Sequence, residues 1–483
     1  MGEILTSEKF LMQGLKFPPA ISYKRLSNYD LNSKRYKGTY NKNKKLSIMT
    51  PEGPILSNLK VLPINYFRLD TDKQKQLIFS EKPVVHCDGI DDVELKCILD
   101  NADFFNKLNQ AYTTYSSLAD APILVSSATT ISCFNPKYYF EIVEDYDTET
   151  TKCIVIYQPI YREYLKGDVI KSEIYKIRII KHYKGYYTEQ VFKYNKEGII
   201  GQPVKHQIGS YTIPQAGHKV ETGLDDFAIS VLKSGRLAGE VYGTSMYEKY
   251  SELVLAIEKR LTLEDAVIDK HSEPTFVVPN SLIRTNEETG EQEFLGVGGI
   301  VGVPIGSERP EYLTWDGKTD AAEKMIETLK KELVIALEYG ETYLNNSFAA
   351  NMSGEALKTL LKGALDKAGR IVDEIEVPVK RVIRNLLSFN GYKVEMSDIS
   401  IEWQDGISES DLNKAQVIQL RVSTGTMSKK RALMIYDGLS AEKAEEEIEQ
   451  IEIETNLNVV KEEQLNERIN SKVDEVFGFG ESE

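Results

Sequence analysis

A chain of 483 residues with 59 basic and 74 acidic side chains, for a net charge of -15, is too long for one ordinary core. It is also too acidic to grip nucleic acid over its surface as a whole. With 41% hydrophobic and 28% charged residues the composition is that of a folded protein, and no run reaches the roughly 18 to 20 uncharged apolar residues of a membrane span. The amino-terminal stretch MGEILTSEKFLMQGLKFPPA has no long apolar segment, so no secretory signal is expected and a soluble, intracellular origin is. Four cysteines (Cys87, Cys97, Cys133, Cys153) without a Cys-x-x-Cys pair, and five histidines without His-x-x-x-His spacing, argue against a disulfide framework and against a metal site.

Residues 1 to 60 are polar and broken by FPPA and PEGP. The stretch KRYKGTYNKNKK, Lys34 to Lys45, interleaves basic and aromatic residues, which suits either a nucleic-acid surface or, the favoured reading, a solvated arm or subunit contact. From Val61 to about Ser126 the apolar spacing is mostly helical, with Phe104, Leu108, Tyr112 and Leu118 near one face. Over about residues 130 to 215 the period changes to two, and Gly and Asn turns cut it into an antiparallel meander of five or six strands.

Beyond Gly243 helical spacing returns. Ser245-x-x-Glu248 reads as a capping box for a helix running to about Lys270 with Met246, Tyr250, Leu253, Val254, Ile257 and Leu261 as its stripe. PTFVVPN and EFLGVGGIVGVP are short strands around the turn NEETGE, and Asp320-x-x-Glu323 opens a returning helix. Ser353 is expected to cap the longest helix, which Pro378 should kink, and the strand VEMSDISIEWQD follows. Gly425 reads as a helix C-cap, Ser428 as the next N-cap, and Ser440 as the start of a helix crowded with glutamate, with Ala444, Ile448 and Ile451 as its thin apolar edge. The fold class is therefore α+β.

Motifs for chemistry are missing: there is no phosphate loop, Gly-x-Ser-x-Gly, His-Glu-x-x-His or EF-hand loop, and GVGGIVG at Gly296–Gly302 lacks the helix a dinucleotide loop needs. Neither a catalytic residue nor a cofactor is assigned.

Four segments in order nonetheless carry a resemblance: PINYFRLDTDKQKQLIFSEKPVV, GTSMYEKYSELVLAIEKRLTLEDAVIDKHSEPTFVVP, MSGEALKTLL, and IEWQDGISESDLNKAQVIQLRVSTGTMSKKRALMIYDGLSAEKAEEEIEQIEIE. Together they resemble the portal proteins of tailed bacteriophages, in the family from long-tailed phages of Gram-positive hosts. ADAPILVSSATT departs from the strand start portals often carry at that place, which leaves the register of the meander open.

The resemblance implies an elongated subunit: a mixed wing over 1–243, stem helices at 244–271 and 319–340 flanking a small α/β clip at 272–318, a tunnel loop at 341–352, a long kinked helix and wing strand at 353–407, a crown at 408–455 and a tail at 456–483. It further implies a homo-oligomeric ring, by family habit a dodecamer, at one capsid vertex of the virion, assembled in the host cytoplasm. Double-stranded DNA would pass through it, driven in by the terminase large subunit. A head-completion or adaptor protein, the major capsid protein and the scaffold would be the other partners, with no membrane involved. Asn345, Asn346, Ser347 and Asn351 would line the tunnel; Lys249, Lys259, Arg260 and Lys270 would face the channel or make surface ion pairs; Glu287, Glu288 and Glu291 would meet terminase or adaptor at the clip. Alternatives from other classes are a different phage head or baseplate structural protein, or a virion-associated enzyme.

Overall fold

The computed structural model describes residues 3–41, 45–50, 53–167, 169–272, 275–277, 283–285, 292–294, 311–313, 320–340, 359–403, 411–436 and 443–453. The chain divides into two units, Met1–Gly406 and Ile407–Glu483. Helices and antiparallel strands alternate in blocks in the first, which is α+β.

The polar beginning of the chain is folded, not an arm. Helix α1 (Tyr23–Tyr36) is followed by the antiparallel hairpin β1 (Lys45–Thr50) and β2 (Gly53–Lys60). Its inner face is Leu26, Tyr29, Asn32 and Arg35, spaced by three, so half of the buried stripe is polar and apolar periodicity alone misses it. Arg35 lies with its guanidinium 5.2 Å from the centre of the Phe67 ring, and so belongs to the interior of the subunit and not to a basic surface.

Three helices and a strand follow as the apolar spacing indicates: α2 (Tyr66–Phe79), β3 (Val84–Cys87), α3 (Asp92–Asn101) and α4 (Phe104–Leu118). Asn65 caps α2 by accepting from the Arg68 amide at 3.1 Å, and Asp91 caps α3 through the Val93 amide at 3.0 Å. The helical region expected to reach Ser126 stops at Leu118. Ala119 turns the chain at φ +82°, and the Pro122-containing, β-branched run Asp120–Ser127 becomes β4, the middle of a three-stranded sheet between β5 (Thr130–Cys133) and a later strand.

The period-two region is a sheet in the order β10-β9-β8-β7-β6, built from β6 (Tyr139–Glu144), β7 (Asp147–Lys166), β8 (Val169–Tyr183), β9 (Tyr186–Tyr194) and β10 (Ile200–Pro203). A hairpin of β11 (His206–Ile208) and β12 (Tyr211–Ile213) leads to β13 (His218–Glu221), which pairs with β9. One sheet face carries Phe140, Ile142, Val155, Ile177 and Ile179 against the N-terminal residues Leu5, Leu11 and Phe17. The other carries Tyr139, Ile154 and Ile156 against Phe227, Val241, Tyr242 and β14 (Ile229–Lys233), the third partner of β4. Alternating side chains thus feed two cores from one sheet.

Gly243 ends the run of strands. A Cβ there would sit 2.7 Å from the Ser234 carbonyl oxygen and 2.9 Å from that of Ala119, so only glycine passes. Its amide donates at 3.0 Å to the buried Asp120, which also accepts from Tyr29 at 2.5 Å.

Ser245 does cap, but what it caps is the 3-10 turn Met246–Lys249, through the Tyr247 amide at 3.2 Å; α5 (Ser251–Ser272) starts only after Tyr250. Strands β15 (Thr275–Val277) and β18 (Glu311–Leu313) pair, as do β16 (Ile283–Thr285) and β17 (Gln292–Phe294). Then α6 (Asp320–Leu337), with Asp320 and Glu323 in its first turn, returns to pack on α5. The longest described helix, α7 (Lys362–Phe389), begins after a turn at Leu361. Ser353, its expected cap, lies outside the described residues. The helix continues through Pro378, and β19 (Ile399–Glu402) then pairs with β3.

In the second unit, α8 (Asp411–Ser423) ends at a Gly425 with φ +69° and a Thr426 amide bonded to the Arg421 carbonyl at 2.9 Å. Ser428 caps α9 (Lys429–Tyr436) through the Arg431 amide at 3.2 Å. Residues 443–453 are helical, with Ala444 buried, Ile448 half-buried, Ile451 exposed and Glu445, Glu446, Glu447, Glu449 and Glu452 facing solvent. Ser440 lies outside the described residues.

His182 on β8 is a buried liability, since neither ring nitrogen has a hydrogen-bond partner. Burial, reinforced by the Arg178 charge, pushes its pKa down to about 4 from 6.5. Between those values the unfolded chain binds the proton more readily, so stability falls as pH drops from 6.5 towards 4, by at most roughly 3 kcal/mol. His182→Phe should flatten the acid limb of a plot of denaturation midpoint against pH over that window, leaving the midpoint at pH 8 within about 1 kcal/mol of the parent.

Candidate functional site

Helix α2 buries a polar face: Asp70, Thr71, Lys73 and Gln74 are all inside. Asp70 is fully enclosed and collects donors from four directions. Gln74 Nε2 reaches Oδ1 at 2.9 Å within α2; Tyr339 Oη, just past α6, reaches it at 2.6 Å; Lys367 Nζ of α7 stands 3.4 Å away; and Tyr250 Oη, at the head of α5, donates to Oδ2 at 2.7 Å. A buried charge is tolerated when it is paired and its lone pairs are filled, and here both conditions are met.

The neighbours carry the mark of this environment. Burial, followed by the Asp70 charge, holds the Tyr250 and Tyr339 phenols well above the ordinary tyrosine range, so both stay protonated donors. Burial lowers the Lys367 pKa, and Asp70 opposes that shift without cancelling it. Around them, Tyr112 Oη and Ser116 Oγ of α4 donate to Gln74 Oε1 at 2.7 and 3.1 Å, and Thr71 Oγ1 lies 2.8 Å from Tyr247 Oη. Helices α2, α4 and α7, the head of α5 and the end of α6 therefore share one polar node.

The end of α6 is fastened further. Lys367 Nζ donates to the Leu337 carbonyl at 2.8 Å, filling one of the helix's orphan acceptors. Glu338 sits in the left-handed region at φ +62°, bonded to Arg370 and 3.9 Å from Lys249. Gly363 passes so close that a Cβ would lie 3.3 Å from the Glu338 carbonyl. The chain thus enters residues 341–358 from a clamped exit and leaves them into α7, which supplies the clamp.

A second enclosed carboxylate fixes α5 about two turns farther along. Glu258 accepts from Tyr40, from Asn41 Nδ2 at 2.6 Å and from the Ile64 amide at 3.0 Å. The Leu62 amide adds a bond to Thr262 Oγ1 at 2.9 Å. The basic and aromatic segment of the sequence is in part this strap.

Of the cations named from the sequence, the three with described side chains do not converge. Lys249 is exposed and pairs loosely with Glu338, whereas Lys259, half-buried, and Arg260, exposed, lie about 15 Å farther along α5. The Lys270 side chain lies outside the described residues, as do Asn345, Asn346, Ser347 and Asn351 of the expected tunnel and Glu287, Glu288 and Glu291 of the expected clip. Asp70 and Glu258 were missed altogether. Their only trace in the sequence is an acidic residue interrupting an apolar helical stripe, which is equally the pattern of an exposed position. Among the described residues no cluster of His, Cys, Asp or Glu could hold a metal ion, and no helix is long and apolar enough to cross a membrane.

A family model described as phage portal protein, SPP1 Gp6-like, matches residues 15–459. Among solved structures, one chain from the virion of a native gene transfer agent particle is 10% identical, with a TM-score of 0.37 over 77% of this chain and 89% of that one. A chain from the neck of the native particle, with C12 symmetry, is 9% identical at TM-score 0.36 over 77% and 89%. One from the neck of the empty particle, with C6 symmetry, is 9% identical at TM-score 0.40 over 77% and 90%. No curated protein matches.

The node makes a direct prediction. Asp70→Ala, which strands the buried Lys367 ammonium, should lower unfolding free energy by about 3–5 kcal/mol, while Tyr339→Phe should cost only about 1–2 kcal/mol. Urea denaturation of the purified variants checks both; equal, small effects would mean that Asp70 is not the organising charge.

Proposed function

This chain belongs to the phage portal protein family, SPP1 Gp6-like, and from that premise we propose that it assembles into a ring at one capsid vertex of the virion, through which double-stranded DNA is packaged and later ejected. The ring is a dodecamer by family analogy. A separate terminase large subunit supplies the motor, in keeping with a chain that has no phosphate loop. The portal is a structural, non-enzymatic component, assembled in the host cytoplasm with capsid and scaffold proteins and completed by an adaptor.

The observation that carries this reading is the family match across residues 15–459. The order of α5, two short strand pairs and a returning α6 supports stem, clip and stem assignments. The net charge of -15 suits a channel that must let a polyanion slide. The clamped exit of α6 supports reading residues 341–352 as the tunnel loop, because a loop that meets moving DNA needs a rigid base. Lys249 next to Glu338, by contrast, favours an ion-pair role over a channel-facing one. Glu287, Glu288 and Glu291 are proposed as the terminase or adaptor surface of the clip.

Negative-stain microscopy of the purified protein tests the assembly: flat rings with a central hole are expected, and solid particles or monomers alone would overturn it. Replacing Asn345, Asn346 and Asn351 together by aspartate should cut packaged DNA by about tenfold while rings still form, through like-charge repulsion at the narrowest point. Unchanged packaging would remove the loop from the channel. Glu287→Lys with Glu288→Lys should weaken terminase capture by about tenfold, read in a pull-down with wild-type rings as reference; undiminished capture would place docking elsewhere.

A further inference from the structure

Strands β7 and β8 pair far beyond the sheet that holds them. The last β6 partner on β7 is Ile156, and the last β9 partner on β8 is Lys176, yet β7 and β8 stay paired to Lys166 and Val169. From the Ile160–Lys176 pair outward, at the rise of a strand, this is a two-stranded ribbon projecting about 20 Å. Ribbons of two strands are marginal in water unless one face is covered.

One face of the ribbon is apolar. Opposite Ile160 and Tyr161 stand Lys176 and Ile174, so Tyr175 is the extra residue of a β-bulge. Without it, Ile174 and Ile170 would turn to the face opposite Ile177. With it, the pairs Tyr161–Ile174 and Leu165–Ile170 continue the core face of Ile177 and Ile179 outward. Beyond Ile174 the stripe is open to solvent, with Tyr161 54%, Leu165 73% and Ile170 67% exposed. The reverse face is more polar: Arg162 Nε donates to Glu173 at 2.7 Å, Lys196 lies 3.1 Å from the same carboxylate, and Lys171 stands among the exposed Tyr164 and Val169. A bulge that preserves an apolar face where this subunit has no core to offer indicates a partner.

Within the subunit the same sheet face is covered by the N-terminal segment, whose Leu5, Leu11 and Phe17 point inward. The outside of that segment and of the helix start after it is again apolar, with Met12 60%, Leu15 45% and Ile21 53% exposed, interspersed with the exposed Lys9, Lys16 and Lys24. The one charge on the ribbon's apolar face is Glu163, between Tyr161 and Leu165. The ribbon's apolar face and the N-terminal surface are thus matched in apolar chemistry, with one acid on the first set against three lysines on the second.

We infer that the β7–β8 ribbon of one copy docks, apolar face down, on the outer surface of residues 9–24 of a second copy of this chain. Donor and receiver are different surfaces, so the contact is heterologous and propagates around a ring. This rests on the ring reading above and names the contact by which neighbouring wings hold one another.

The full-length protein with Leu165→Glu and Ile170→Glu should keep its far-ultraviolet circular dichroism and require about a hundredfold higher concentration for half-assembly, by native mass measurement. A photoreactive phenylalanine analogue at position 165 of otherwise wild-type protein should crosslink copies, with the attachment at residues 9–24. Assembly at wild-type concentration by the double variant, or crosslinks that land on another segment or not between copies, would overturn the arm. A wild-type protein that remains monomeric at every concentration would instead sink the ring itself.

Discussion

A single carboxylate with no access to water holds the first unit together. Asp70 cannot be left alone in a low-dielectric interior, so each of its donors must be in place whenever the unit is folded. Those donors come from α2, the head of α5, the end of α6 and the second turn of α7. The requirement to satisfy one charge therefore fixes the relative positions of four helices more sharply than apolar packing, which tolerates sliding.

Two further constraints extend that order along α5. At Gly243 three backbones meet with no room for a side chain, which sets where α5 can begin. Glu258 then ties the middle of α5 to residues 40, 41 and 64, so this helix is held at its head and along its side. Helix α5 is held to the residues before it by directional bonds as well as by the packing of Val254, Ile257 and the Phe67–Tyr250 ring pair, and load on one passes to the other through both.

Much of this architecture was legible. The change of period marked the sheet, and the stripes of Val254 and Ile257, and of Ile326 and Leu333, marked two helices around a β excursion. The departures have more than one cause. Helix α1 buries Asn32 and Arg35, and α2 buries Asp70 and Gln74, so their inner faces do not read as apolar. Likewise Ser245 looked like the cap of a long helix, because a 3-10 turn and an α-helix begin with the same serine, and only the φ of −131° at Tyr250 separates them. The node itself could not be read, since Asp70, Tyr250, Tyr339 and Lys367 are related only in space.

That separation has a consequence in time. Asp70 and Lys367 lie 297 residues apart in the chain. At roughly 5–20 residues per second of synthesis, the carboxylate leaves the ribosome about 15–60 s before its ammonium partner. Until then the first helices are competent to form but not to settle, and the nascent subunit is a better client for a holdase than a building block for an oligomer. Translation itself delays recruitment into the particle until α7 has emerged.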